Sequence, residues 1–357
     1  MAELLKDRYS IPFFHSLCDE IQKVYVGFNK ESFFANIYDE HWDERELKAR
    51  MGHITQCLYY HLPTSYEKAL SILKPVSVKF SGFEPMFFPD YVEQFGLDEY
   101  EFSIDALEHF TKYSSSEFAV RPFIIRYPEK MMQQMGQWAL SENYHVRRLA
   151  SEGCRPRLPW AIALPEFKKN PSIILPILEK LKSDETDYVR RSVANNLNDI
   201  SKDNPSVVVD VATNWLGESD ETDKLVKHAC RTLLKAGNPD VLSMFGFTSP
   251  KNIKVRKLKC NAQVESGKAL NFSCEVVSNK KLGMLRVEFA IDFVKANKKT
   301  SRKVFKISES DVSENIKIVS KKFSFKPIST RKYYSGKHKL AIIVNGVELA
   351  KKSFELK

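Results

Sequence analysis

At 357 residues the chain is longer than one hydrophobic core usually serves, so two domains are expected, and 43% hydrophobic with 28% charged side chains is an ordinary soluble globular composition. No apolar run approaches the ~20 residues that cross a bilayer. The opening MAELLKDRYSIPFF also lacks a basic segment followed by an apolar one, which argues against membrane insertion and secretion. The net charge of +10 is unevenly placed: residues 1–249 carry 29 basic and 36 acidic side chains, residues 250–357 carry 26 and 9. A strongly basic module attached to an acidic one is suited to phosphates, of nucleic acid or of an anionic membrane surface.

From Ile11 to about Phe245 the pattern is helical. Apolar residues at three and four residue spacing predict helices over 13–25, 42–61, 66–73 and 104–113. The stretch 81–98, SGFEPMFFPDYVEQFGLD, is rich in aromatics, prolines and glycines and is expected to pack as irregular chain. Six cysteines (Cys18, Cys57, Cys154, Cys230, Cys260, Cys274) are scattered without a CxxC pair and read as free thiols in a reducing cytosol. His53, Cys57 and His61 share one predicted helix face but lack the full ligand set of known zinc motifs, so no metal site is assigned.

The stretch 143–161, NYHVRRLASEGCRPRLPWA, organises the rest. Val146, Leu149, Ala150 and Gly153 form a narrow inward stripe, and His145, Arg148, Glu152 and Arg155 crowd the other face. Pro156 is expected to stop this helix and Pro159 to open the next, holding Arg157 and Trp160 at a tight corner. The motif recurs: Tyr144 to Arg148 resembles Asp187 to Arg191, and Lys224 to His228 is a weaker copy, with 43 and 37 residues between the matched valines. Those periods suit two-helix HEAT-type repeats, which stack into a curved array because one pair cannot bury both faces. Arg148, Arg191 and His228 are expected in a row on the concave side, with Glu152 and Asn195 one turn further along. Phe118-Ala119-Val120-Arg121 reads as a degenerate relative at shorter spacing.

After Ser249-Pro250 the period changes to two. Strands are expected over 285–294, 302–307, 315–325 and 339–354, with Asn345-Gly346 as a hairpin turn. Seven or eight short strands in about a hundred residues fit a small β-sandwich. The expected architecture is therefore an α-solenoid over 1–249 followed by a basic Ig-like sandwich over 250–357.

Glu117, Glu152, Trp160 and Asp199 are the candidate chemical groups, and each has a plainer reading. Glu117 lies three residues after Ser114 and could complete a capping box. Glu152 could form a surface ion pair with Arg148 or Arg155, and Trp160 could be core. Asp199 is harder to dismiss, since it falls in the last turn of a predicted helix where the macrodipole disfavours a carboxylate. No GxSxG, P-loop, Rossmann glycine pattern or HExxH is present, and Cys154 has no convincing base. Two or three carboxylates and an indole among arginines would stabilise positive charge beside a phosphate backbone.

At SSEFAVRPF (115–123), HVRRLASEGCRPRLPWA (145–161) and YVRRSVANNLNDISKDNP (188–205) the sequence resembles the AlkC branch of the AlkD-like, HEAT-like-repeat DNA glycosylases. ELKARMGHI (46–54) and FFPDYVEQFGL (87–97) add weaker support, and the sandwich resembles the Ig-like appendage of some members. The resemblance implies excision of cationic N-alkylated bases, chiefly 3-methyladenine and 3-methylcytosine, from DNA without a cofactor or metal. It places the active-site roles on Glu152 and Trp160, with Glu117 and Asp199 assisting. Arg148, Arg155, Arg157 and Arg191 are then expected to hold phosphates. Lys298, Lys299, Arg302, Lys321, Lys322, Arg331 and Lys332 are expected, from the charge of the sandwich, to grip the flanking duplex. A cytoplasmic monomer acting on alkylated DNA is the expected context. Competing readings are a non-catalytic binder of damaged or branched DNA and a HEAT-type protein scaffold, because fold does not fix function.

Overall fold

The computed structural model describes residues 4–328 and 331–357. Residues 1–3 of the expected helical domain and 329–330 of the expected sandwich lie outside them. Among the described residues, sixteen α-helices precede eight β-strands. None of these helices is long and apolar enough to cross a membrane. Contacts divide the chain into two units, one of Met1–Val208 with Trp215–Ala229 and one of Val209–Asn214 with Cys230–Lys357.

In the first unit the predicted helices form with shifted ends, as Ile11–Val24, Leu47–His61, Tyr66–Ser77 and Tyr100–Thr111. The second begins later than expected because Trp42 is buried in a preceding turn that Asp39 closes onto Arg45. The stretch 81–98 is not irregular: it folds as a short 3-10 turn and a helix, Phe87–Phe95. Pro89 is tolerated there because it sits in the first turn, where its missing N–H has no helical partner to lose. Phe87, Phe88, Tyr91 and Val92 are then buried, Phe87 against the ring of Phe13 and Phe88 against that of Phe110. His53 Nε2 meets the carbonyls of Asn36 and Ile37, and His61 Nε2 meets the Asn36 amide, each within 3.1 Å.

The repeats pack in series: Tyr144–Glu152 against Asp187–Ile200, and that helix against Asp220–Ala229. The matched valines, Val146, Val189 and Val226, are all buried. In the first two repeats the paired arginines divide their work. Arg147 Nε and Nη2 reach Asp184 and Glu185, at 2.5 and 3.1 Å, and its Nη1 donates to the carbonyls of Ser141 and Glu142. Arg190 Nη1 donates to the carbonyls of Asp184 and Glu185. These first arginines tie a helix to the loop before it, which leaves Arg148 and Arg191 for the other face.

The second unit carries β1 (Ile253–Cys260), β2 (Gln263–Val264), β3 (Ala269–Ser278), β4 (Gly283–Val294), β5 (Thr300–Val312), β6 (Ile316–Ser324), β7 (Gly336–Val344) and β8 (Val347–Leu356). They form a three-stranded sheet, β1-β3-β6, and a five-stranded sheet, β2-β8-β7-β4-β5. The sheets enclose Leu270, Phe272, Val276, Phe289, Ile291, Leu340, Ile342 and Phe354 at the period-two positions. Asn345 and Gly346 turn β7 into β8 with φ of 45° and 80°. The Asn345 side chain locks the turn, accepting from Arg286 N and donating to the carbonyls of Thr248 and Met284. Gly346 also lies so close to Gly237 and Leu242, in the short helical segments 231–236 and 239–244, that a Cβ would fall 2.9 Å from Gly237 Cα and 2.6 Å from Leu242 Cδ1.

Candidate active site

Asn143 opens the Tyr144–Glu152 helix by accepting the His145 amide at 2.9 Å, which sets His145, Arg148 and Glu152 along one face. That face forms one wall of a cleft of about 650 Å³ in the first unit, completed by Phe83, Glu117, Phe118, Arg155, Trp160 and Tyr188. The helix stops at Glu152, before Pro156, and Pro159 opens no helix; from Gly153 the chain turns until Pro165–Lys169 begins. Arg121, fully buried, holds this corner, its guanidinium taking the carbonyls of Gly153, Arg155 and Ile162 at 2.9, 2.9 and 2.6 Å. Carbonyls beyond a helix end have no intrahelical partner, and the guanidinium satisfies them. Trp160 stands at the rim with φ of 65°, is 63% exposed, and meets the edge of Phe83 at 6.4 Å, so it is not core.

Glu152 is only 4% exposed and lies at the centre of a chain of charges. Its Oε1 accepts from Arg155 Nη1 at 2.6 Å and pairs with Arg148 Nη2 at 3.4 Å, while Ser192 Oγ donates to Oε2 at 2.7 Å. Arg148 continues to Glu117, which Ser115 Oγ also bonds at 2.8 Å. Glu117 forms no capping box: Ser114 Oγ donates instead to the Gly82 carbonyl, and the Val120–Arg126 helix has no side-chain cap. Arg155 continues to Asp199 at 2.8 Å, and Lys202 covers the other oxygen of that carboxylate at 2.8 Å. This answers the dipole argument: Asp199, 2% exposed, is compensated by two cations, and it reaches the cleft through Arg155 without lining it.

Burial disfavours charge on Arg148 and Arg155, but Glu152, joined by Glu117 for one and Asp199 for the other, outweighs it and holds both guanidiniums above their ordinary pKa. Burial and the adjacent Arg148 push the His145 imidazole down, so it is neutral at pH 7. The Cys154 thiol, buried beside Asn196, is pushed up to about 12 and is no nucleophile at neutral pH. The site is thus a carboxylate braced by two fixed cations under a wall of aromatic rings, able to stabilise a cation formed above it.

The cations expected at phosphates fall into two sets. Arg148 and Arg155 are committed to carboxylates, whereas Arg191 is 71% exposed in its side chain, 4.0 Å from Asp187, and Arg157 pairs with Asp203 at 2.6 Å on the surface. Arg191 and His228 line a second groove with Arg190 and Lys224. In the second unit Lys298 and Lys299 occupy the β4–β5 turn, and Lys321 and Lys322 are exposed on β6. Arg302 is paired with Glu348 and Asp292, Arg331 stacks 5.0 Å over Phe293, and Lys332 lies over Tyr334.

Four residues of the site escaped the reading of the sequence: Phe83, Tyr188, Ser192 and Lys48. Tyr188 faces Arg148, whose guanidinium lies 5.0 Å from its ring, and Lys48 Nζ donates to the Trp160 carbonyl at 2.8 Å. Ser192 alone left a signal, since it stands where the preceding repeat has the buried Leu149.

The family model "Uncharacterised protein YhaZ, C-terminal Ig-like domain" matches residues 254–357. Uncharacterized protein YhaZ of Bacillus subtilis is 47% identical over 348 residues, 97% of either chain. The structure of Pseudomonas fluorescens alkylpurine DNA glycosylase AlkC, bound to DNA containing an abasic site analogue, is 33% identical with a TM-score of 0.94, covering 99% of this chain and 100% of that one.

Proposed function

The chain belongs to the AlkC family, with a YhaZ-type C-terminal Ig-like domain, and on that premise we propose that it is a DNA glycosylase of base excision repair. The substrates on this reading are cationic N-alkylated bases, 3-methyladenine and 3-methylcytosine, and the partner is alkylated DNA. Residues 1–249 carry the chemistry and 250–357 assist binding, in a cytoplasmic monomer that uses no metal or cofactor. The observation that carries the reading is Glu152, a buried carboxylate at the cleft with an exposed indole at the rim.

Alkylation has already made the base a cationic leaving group. The C1′–N bond breaks with its electron pair passing to the base, which departs neutral, and positive charge develops on the sugar. Glu152 stabilises that charge and receives a proton from the water that adds to C1′. Glu117 and Asp199 support it through Arg148 and Arg155, and Trp160 stands against the alkylated nucleoside. Arg157 and Arg191 contact phosphates, and the exposed lysines of the sandwich add binding without sequence preference.

The test is incubation with methylated DNA, scoring released base and gel retardation in parallel. Release with retardation is expected. Retardation alone would identify a non-catalytic binder, and neither signal at moderate salt would identify a scaffold.

A further inference from the structure

The segment between Gly153 and Leu164 contains no regular structure, yet it carries Arg155, Arg157 and Trp160. Its own backbone bonds are few, Ala161 N to Leu158 O at 3.3 Å and Leu164 N to Pro156 O at 3.2 Å. Trp160 lies in the left-handed region, which a bulky residue occupies only when its surroundings impose it. Arg121 fixes both ends of the segment from below, through the carbonyls of Gly153, Arg155 and Ile162. Nothing in that set holds residue 160 itself.

We propose that Lys48 is a positioning residue for Trp160, gripping its carbonyl from the separate helix Leu47–His61 and so keeping the indole at the rim of the cleft. The geometry is a charge-assisted hydrogen bond of 2.8 Å between Nζ and the Trp160 oxygen. The ammonium is steered into place: it lies 5.1 Å from the Phe118 ring centre, and its charge favours ionisation of the buried Asp90 and half-buried Glu93 carboxyls. Lys48 is exposed, so its replacement removes the grip without opening the core. The inference rests on the role given to Trp160 above, and its experiment can fail separately from that role.

Trp42, Trp138 and Trp215 are buried, so acrylamide quenching in the free full-length protein reports chiefly on Trp160. Lys48→Met is expected to alter that quenching and to lower single-turnover base release about tenfold, with DNA affinity changed less than about threefold. Lys48→Arg is expected to restore both. Quenching identical to the parent overturns the proposal. So does a loss confined to DNA affinity with the salt slope reduced by about one, the signature of a phosphate contact. If Trp160→Phe retains full turnover, the role of Trp160 in the reaction falls, and the quenching result still decides whether Lys48 holds it.

Discussion

Replacing Glu152 by Gln removes one negative charge from the centre of the cleft and little else. Arg148 keeps Glu117 and Arg155 keeps Asp199, so neither guanidinium is left unpaired, and the amide can hold its oxygen toward Arg155 while its NH2 donates to Ser192 Oγ. The stability loss should therefore stay below that of a broken buried pair, at about 1 kcal/mol. The kinetic loss is larger. A unit charge ~4 Å from a developing sugar cation is worth roughly 4 kcal/mol at an effective dielectric constant near 20. The guanidiniums at 2.6 and 3.4 Å from Oε1 remain in the variant, so the difference is set by the lost charge and by the fraction of a full charge that the sugar carries in the transition state. A residual of ~2–4 kcal/mol corresponds to roughly 30-fold to 1,000-fold in rate. Single-turnover release from methylated DNA measures it, with affinity for abasic-analogue DNA as the control. If Glu152→Gln releases base within about threefold of the parent while binding equally, stabilisation of the sugar by this carboxylate is refuted.

Three further outcomes are expected. Burial, with the charge of Asp90, raises the Glu93 carboxyl from 4.5 to about 7 against the pull of Lys48 and Arg121. The folded chain therefore binds this proton more tightly than the unfolded one, and stability falls as pH rises from about 4.5 to 7 and then levels off. Glu93→Gln should leave urea stability near pH 4.5 unchanged and raise it at pH 8 by roughly 2–3 kcal/mol, and parallel pH profiles would show the argument wrong. Gly346→Ala adds a Cβ against Gly237 and Leu242 at a φ of 80°, so a loss of about 2–4 kcal/mol is expected; an unshifted melting temperature counts against this reading of the turn. Replacing Lys298 and Lys299 together by Ala should make the dependence of log affinity on log salt shallower by about 2. An unchanged slope would remove the β4–β5 turn from the DNA interface.

Much of this was legible where pattern and packing agree. The repeated valines had to face inward, and Asn345-Gly346 had to turn a hairpin, because each follows from local spacing. The aromatic stretch 81–98 misled because prolines argue against helix in general, while a first-turn proline such as Pro89 does not. The corner after Glu152 misled for a different reason. Pro156 does follow the end of the helix, but Pro159 opens none, because the chain beyond is held by a guanidinium that arrives from Arg121, 32 residues before Gly153. Lys48 and Phe83 reach the site by tertiary packing alone and carry no mark in the chain. The roles of Arg148 and Arg155 were also beyond spacing: an arginine near a carboxylate reads equally as a phosphate ligand until its burial and partners are known.

The twin arginines of the repeats bear on how any mutational survey would be interpreted. Arg147 reaches across to the loop before the next repeat and Arg190 closes onto the loop before its own helix, while their neighbours Arg148 and Arg191 line the clefts. A screen that scored repair alone would rank all four together, since a loosened array and a disarmed groove both lose the phenotype. Melting behaviour separates Arg191, which is exposed in its groove, from Arg147, Arg190 and Arg148, whose guanidiniums hold buried or loop partners and whose loss should lower the temperature at which the array comes apart.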